Sequence, residues 1–311
     1  MRARIASGAG PWRTRRAWEN GAARGAGLTD VPLRPLKLLW RRTIDKTQLV
    51  KVRLPVRRLP REFEGMVACQ LSDFHVDRDE DLERLEKAVD AVNRQKPELV
   101  FLTGDYFSRP EAMRRYLEPV GTLLRRLEPQ LAWFAVAGNH DHWCCFDPIS
   151  ERLRRSGGAV LVNEHRRVHR RAAALVVVGI DDLWSRRAEP ARAFRGVRRT
   201  DCTVVLAHNP DTALYLRHLS PGVMLSGHTH GGVVRLPFYG SVFNSFLRLG
   251  RRFQAGLNRY SDFYIYTNRG LGTFAVRIRI NCRPEVSRFT LERFDPIQQA
   301  ATLEEAVLAG R

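Results

Sequence analysis

No stretch of this sequence holds the roughly 18 consecutive apolar residues that a membrane span requires, so a bilayer-crossing helix is not expected. The paired arginines in "RTRRAW" near the start are followed by no apolar core segment, which argues against a secretion signal. Cysteine is too sparse and too irregular for a disulfide framework. The five are odd in number (Cys69, Cys144, Cys145, Cys202 and Cys282), and two of them are adjacent. Cys69 and Cys202 fall inside apolar runs, where a free thiol packs as a small hydrophobe. Such usage fits a reducing compartment, and a cytoplasmic location is expected. No internal repeat is evident.

Acidic residues are scarce at one end. Residues 1–62 hold 16 Lys and Arg against 4 Asp and Glu, so they carry +12 of the net +19, and the remaining 249 residues carry the other +7. A basic arm beside a milder domain suits an anionic partner, either phospholipid headgroups or nucleic acid. A solvated tail is the plainer reading of the same charge. "VPLRPLKLLWRR" (31–42) is short, apolar and basic, a composition that can lie on a membrane interface, although Pro32 and Pro35 oppose a long helix there. At 44% hydrophobic the chain can bury a substantial core. The expected organisation is a basic, flexible extension over 1–45 and a single catalytic domain over 46–311.

From residue 66 a rhythm sets in. The apolar runs "MVACQLSD", "ELVFLTGD", "LAWFAVAGNHD", "ALVVVGIDDLW", "CTVVLAHNPD" and "GVMLSGHTH" read as short buried strands. Charged helical patterns over 79–95 and 110–127 separate the first three. Strands alternating with amphipathic helices predict an α/β domain. An edge strand is expected over 47–56, further strands in "YIYTNRGLGTFAVRIRI" and "EVSRFTLERF", and a closing helix over 296–310.

Polar residues collect where the apolar runs end. The first ends in Asp73 and His75, the second in Gly104-Asp105, the third in Gly138-Asn139-His140-Asp141, and later ones in His208 and in His228-Thr229-His230. Open α/β sheets bind ligands beyond the carboxyl ends of their strands, so these groups can converge despite their separation in sequence. Residues i and i+2 of extended chain point the same way, which pairs Asp73 with His75 and His228 with His230. Glycine before Asp105, Asn139 and His228 permits sharp turns and close approach. One histidine alone is usually a satisfied core residue, but five of the nine sit at these strand ends, which points to a metal site.

The ordered set Asp73-x-His75, Gly104-Asp105, Gly138-Asn139-His140-Asp141, His208 and Gly227-His228-Thr229-His230 resembles the calcineurin-like metallophosphoesterase superfamily over residues 66–232. The resemblance implies a four-layer α/β/β/α sandwich and a dinuclear site. One metal would take Asp73, His75, Asp105 and His230. The other would take Asp105, Asn139, His208 and His228, with Asp105 bridging. Mixed nitrogen and oxygen ligation with two carboxylates suits two divalent ions such as Mn, Fe or Zn better than Mg or Ca. A bridging hydroxide would attack phosphorus in line. The catalytic groups implied are Asp105 and His140, the latter beside Asn139 and placed to protonate or stabilise the leaving oxygen. Asp141 is open between an assisting and a structural role.

"GIDDLW", "LAHNPD", "GHTHGGVVRLP" and "NRGLGT" are similar to a bacterial branch of membrane-associated phosphodiesterases that includes UDP-diacylglucosamine pyrophosphatases of lipid A synthesis. The branch implies a phosphodiester or pyrophosphate substrate, with a UDP-linked acylated sugar as one candidate, and peripheral attachment to the inner face of the membrane. Many of its members carry an N-terminal membrane helix; here a basic arm stands in that place. Arg269 and Arg235 are candidates to hold a phosphate by a bidentate contact; the functional reading is slightly favoured for Arg269, while Arg235 reads equally as a structural arginine. Asn209 either touches substrate or fixes the Asn-Pro-Asp turn, and turn chemistry favours the second. Asp181 and Asp182 read as a loop pair, and His142, Cys144 and Cys145 as packing beside the catalytic loop. The segment 243–260 reads either as a contact for lipid or as a helix packed on the sandwich. A nuclease is a second enzymatic reading, weakened because most of the net charge lies within residues 1–62 and no aromatics interleave with basic residues along a strand. A non-catalytic scaffold is disfavoured because Asp105, Asn139 and His140 are all present.

Overall fold

The computed structural model describes residues 46–236, 240–241, 247–273 and 279–294. The basic arm, the helix expected over 296–310 and part of the segment 243–260 lie outside the described residues. The first half of the domain runs β1 (Gln48–Arg57), β2 (Val67–Leu71), α1 (Asp79–Asn93), β3 (Leu99–Leu102), α2 (Pro110–Leu124), β4 (Ala132–Ala135), α3 (Asn139–Trp143), α4 (Phe146–Arg155) and β5 (Ala159–Val160). The second half runs β6 (Glu164–Arg170), β7 (Ala173–Gly179), α5 (Pro190–Ala193), β8 (Cys202–Leu206), β9 (Val223–Ser226), β10 (Arg235–Leu236), β11 (Gly240–Ser241), β12 (Gly256–Tyr260), β13 (Phe263–Thr267) and β14 (Glu285–Phe294).

Two six-stranded mixed sheets result, in the orders β1-β14-β2-β3-β4-β5 and β12-β13-β9-β8-β7-β6. Strands β2 to β5 are mutually parallel, as are β7, β8, β9 and β13. The antiparallel pairings are β14 with β2 and the outer strands β6 and β12 with their neighbours. Burial on both faces explains why the central strands read as unbroken apolar runs rather than as alternations. The period of two is still visible in the packing. Val100 and Leu102 face the helical layer, while Leu99 and Phe101 face the other sheet. Likewise Val204 and Leu206 of β8 point between the sheets and Val205 points outward.

Three apolar layers therefore separate four structural ones. Leu85, Ala88, Val89 and Val92 recur at helical spacing along α1 and pack with Met113, Tyr116, Val120 and Leu124 of α2 on the first sheet. Three acidic residues in the first turn of α1 suit its positive end. The middle layer lies between the sheets. The far face of the second sheet is covered by α5 and by short 3-10 turns over Pro210–Tyr215 and Arg251–Gln254, through Ala193, Phe194, Ala213, Leu216 and Phe253. The expected α/β/β/α order is present, with a thin outer layer on that side. Several elements were not anticipated from the sequence, and within 243–260 the described residues form a 3-10 turn (Arg251–Gln254) and strand β12 rather than the packed helix considered there. Strand β6 ("EHRRVHR") buries only Val168, so it lacks the apolar pattern that marks a strand. Helix α4 is dominated by charge, although Phe146, Ile149 and Leu153 bury one side of it.

The parallel strands β2, β3 and β4 of one sheet and β8 and β9 of the other open onto a shared rim. Buried Gln70 ties the sheets there, donating to Thr103 Oγ1 and to the carbonyl of Ser226, both at 2.9 Å.

Candidate metal centre

The polar residues of the rim lie beyond the last hydrogen-bonded residue of each strand. Asp73, His75, Asp105, His228 and His230 all have positive φ, between 45° and 71°. Left-handed backbone is uncommon outside glycine and costs roughly 1–3 kcal/mol per residue, so five such residues in one place must be held by their surroundings. This corrects the expectation that Asp73/His75 and His228/His230 share a face because the chain is extended there. The strands have ended, and the pairs converge through left-handed turns.

A lattice of main-chain bonds between the loops holds those turns. Asp73 N–H donates to Gly104 O (2.9 Å), His75 N–H to Asp105 O (3.1 Å), Gly272 N–H to Asp73 O (2.7 Å) and Gly227 N–H to His208 O (2.9 Å). Two glycines make this proximity possible. A Cβ on Gly138 would overlap the Asp105 carboxylate, and one on Gly227 would overlap Ser72 Oγ and Asp73 Oδ2.

Asp105 lies at the middle. Its Oδ1 accepts the His140 N–H at 2.9 Å, while its Oδ2 stands 3.1 Å from His208 Nε2 and 3.5 Å from His75 Nε2. Asp73 Oδ1 stands 3.5 Å from His230 Nε2 and 4.0 Å from His208 Nε2. His230 Nε2 is 3.1 Å from His75 Nε2, and His228 Nδ1 is 3.0 Å from Asn139 Oδ1. Among the described residues, donor atoms of Asp73, His75 and His230 lie within 4.8 Å of one another, as do those of His75, Asp105 and His140 and those of Asp105, His208 and His228.

The donor set fits cations. His208 Nδ1 meets the Thr103 carbonyl at 2.6 Å, and His230 Nδ1 meets the Gly272 carbonyl at 3.3 Å. A carbonyl only accepts, so the His208 ring carries a proton on Nδ1 and turns Nε2 inward, while His230 Nδ1 stands between a carbonyl and the Arg279 guanidinium. Lone pairs facing carboxylate oxygens and one another repel unless positive charge lies between them. Among the described residues, buried His208 Nε2 makes no well-formed hydrogen bond, although Asp105 Oδ2 stands close to it. Burial lowers the His208 imidazole, but the Asp105 charge outweighs it and pushes the group up to about 10, a measure of how strongly this position favours a cation. Burial holds His228 down to about 3 and His140 to about 4, so both rings are neutral near pH 7.

His140 gains an orienting partner that the sequence did not reveal: its Nδ1 lies 3.1 Å from the Ser108 carbonyl. Asp141 resolves as a brace. Its carboxylate accepts the main-chain N–H groups of Gly138, Asp105 and Tyr106, each at 2.8 Å, which caps α3 and fixes the Asp105 loop. A third residue was missed altogether. Arg279 is fully buried and donates to the carbonyls of Arg269 (2.8 Å), Gly270 (3.2 Å), Gly272 and Cys282 (3.3 Å), with Nη2 3.4 Å from His230 Nδ1. Nothing in the alternating run "FAVRIRI" distinguishes a buried arginine from an exposed one.

The three candidate substrate contacts are held by protein partners. Arg269 pairs with Glu285 through Nε and reaches Gln48 Oε1 at 3.1 Å. Arg235 Nη1 donates to Gly231 O at 3.1 Å. Asn209 Oδ1 accepts Asp211 N–H at 2.8 Å and so fixes the Asn-Pro-Asp turn.

Residues 66–232 match the family described as calcineurin-like phosphoesterase. The chain belongs to that family. It is 29% identical over 236 residues to the uncharacterized metallophosphoesterase YkuE of Bacillus subtilis, covering 75% of this chain and 82% of the relative. It is 34% identical over 224 residues to the phosphodiesterase YaeI of Escherichia coli, covering 71% and 80%. It is 26% identical over 314 residues to the UDP-2,3-diacylglucosamine pyrophosphatase LpxG of Chlamydia muridarum, covering 83% and 94%. Membership makes the chain a hydrolase, and the convergent imidazoles and carboxylates are where a calcineurin-like phosphoesterase would hold divalent metal.

Replacing Asp141 with Ala leaves three buried N–H groups without an acceptor, at about 1–3 kcal/mol each. The urea midpoint is expected to fall by an amount equivalent to several kcal/mol. A midpoint within experimental error of the wild type would remove Asp141 as the brace.

Proposed function

We propose that this calcineurin-like phosphoesterase hydrolyses a phosphodiester or pyrophosphate bond with two divalent cations. Asp73, His75, Asp105 and His230 hold one, and Asp105, Asn139, His208 and His228 hold the other. The observation that carries the reading is the Asp105 Oδ2 atom, which faces both His75 Nε2 and His208 Nε2 and so stands where one oxygen can serve two ions. Bound cations would supply a nucleophile from water at neutral pH and neutralise charge developing at phosphorus. The nitrogen-rich donor set favours Mn, Fe or Zn.

The protein's own groups do the positioning. Asp105 holds the His140 main chain through its other oxygen, so the same carboxylate that joins the metal positions also locates the imidazole beside them. Ser108 O fixes the ring of His140. That ring serves the leaving oxygen by hydrogen bonding or proton delivery. Burial disfavours the imidazolium, and an anionic phosphoester arriving beside it favours it.

A UDP-linked acylated sugar is the candidate substrate, supported by the LpxG relative, which aligns over most of both chains. The basic arm over residues 1–45 is proposed to meet an anionic membrane surface, on the strength of its charge. Among the described residues no helix is long and apolar enough to cross a membrane.

Two variants test the centre, with Mn-loaded protein and release of UMP from UDP-diacylglucosamine as the assay. Asp105→Asn is expected to abolish turnover and to lower the binding of both metal equivalents in equilibrium dialysis. Retained activity would remove the two-metal assignment. His140→Ala is expected to keep its metal and lose about 10²–10⁴ in rate, the usual worth of acid–base help. A loss of metal along with rate would make His140 a ligand instead. If the wild type releases no UMP but hydrolyses bis-p-nitrophenyl phosphate, the reaction class stands and the UDP-sugar substrate falls.

A further inference from the structure

Four large hydrophobic side chains are strongly exposed among the described residues: Leu131, Trp143, Trp184 and Tyr215. Two of them stand against the candidate metal centre. The Trp143 ring lies 4.4 Å from that of His140, at 63° to it, and is 52% exposed. The Trp184 ring lies 4.3 Å from that of His228, at 83° to it, and is 42% exposed. What sets these two apart from ordinary exposed hydrophobics is their place, each edge-on to an imidazole of the candidate metal centre.

The loops that carry these rings are braced to each other. His142, next to Trp143, makes a 2.6 Å contact from Nε2 to Asp181 Oδ1, three residues before Trp184, and both side chains are nearly buried. Asn163 closes the second loop at its two ends. Its Oδ1 accepts the N–H groups of Asp181 (3.1 Å) and Glu189 (2.9 Å), and its Nδ2 donates to Arg187 O (2.8 Å). Asp182 Oδ2 accepts Ser185 N–H at 2.6 Å inside the turn. The tryptophans are thus presented on pre-ordered backbone, which lowers the entropy lost when a ligand meets them.

We propose that Trp143 and Trp184 receive the nucleobase of a nucleotidyl substrate, beside the phosphate held at the metal centre. The proposal rests on the phosphoesterase reading and adds the recognised group. Rigid indoles suit a planar heteroaromatic ring, which stacks on them whatever its base identity. A long acyl chain would need an aliphatic groove. Leu131, the one aliphatic residue among the four, precedes β4 at the end of the sheet away from the rim.

The test compares UMP and AMP with ribose 5-phosphate, which keeps the phosphate and sugar and lacks the base. Binding to Mn-loaded full-length protein is measured by equilibrium dialysis. The wild type is expected to bind both nucleotides about 10- to 100-fold more tightly than ribose 5-phosphate. Trp143→Ala and Trp184→Ala each lose most of that preference and bind ribose 5-phosphate as the wild type does, while Trp→Phe at either site retains most of the preference. Equal affinity for all three ligands in the wild type, or a preference that survives both alanine variants, overturns the proposal. Bis-p-nitrophenyl phosphate turnover, measured alongside, separates the two levels. Turnover without base preference overturns the tryptophan assignment alone, whereas no turnover and no binding of any of the three phosphates overturns the phosphoesterase reading with it.

Discussion

The arrangement depends on one carboxylate placed among imidazoles. Asp105 presents one oxygen to the His140 main chain and the other to His75 and His208, deep below the surface. A buried anion is tolerated only when opposite charge and hydrogen bonds surround it. The surrounding chain is built to that requirement: Asp141 ties down the two amides that begin the Asp105 loop, Gly138 leaves room for the carboxylate, and left-handed turns bring neighbouring imidazoles inward. Strain at five positions is offset by main-chain bonds that run between loops rather than within them. The centre is therefore a property of the two sheets together, since each loop in isolation would relax out of its turn.

Much of this was legible in the sequence. The order of strands and helices follows from buried runs and helical spacing, because parallel strands covered on both faces have little freedom to be anything but apolar. The candidate ligands were legible because chemistry at a strand end needs particular residue types, and His75, Asp105, Asn139, His208 and His230 interrupt apolar runs abruptly. What escaped was whatever depends on three-dimensional partners. The brace formed by Asp141 uses two amides 35 and 36 residues away, and main-chain donors leave no mark in sequence. Arg279 is enclosed by carbonyls, which every residue possesses. Strand β6 is polar because it is an edge. The convergence of Asp73 with His75 was anticipated for the wrong reason: alternation along extended chain and a left-handed turn both bring residues i and i+2 together, and spacing alone does not separate them.

The same distinction divides the residues around the rim by role. Groups gathered around Asp105 follow closely on strand ends, Asp73, His208 and His228 two residues beyond the sheet and His140 five. The exposed tryptophans are carried by the same connections, Trp143 at the end of a five-residue helix and Trp184 in the loop after β7. Distance from the sheet ordinarily means mobility. Here the His142–Asp181 contact links a loop of the first sheet to a loop of the second, and Asn163 locks the latter in place. These bonds are made by side chains that are themselves nearly buried. Their effect is to order the backbone that carries two solvent-facing rings. A chain that only needed to hold metal would have no use for that rigidity, and a flexible pair of rings would serve as well for unspecific apolar contact. Under the proposed assignment, two braced indoles beside a phosphate-binding centre suit a ligand that carries a planar group close to its phosphate.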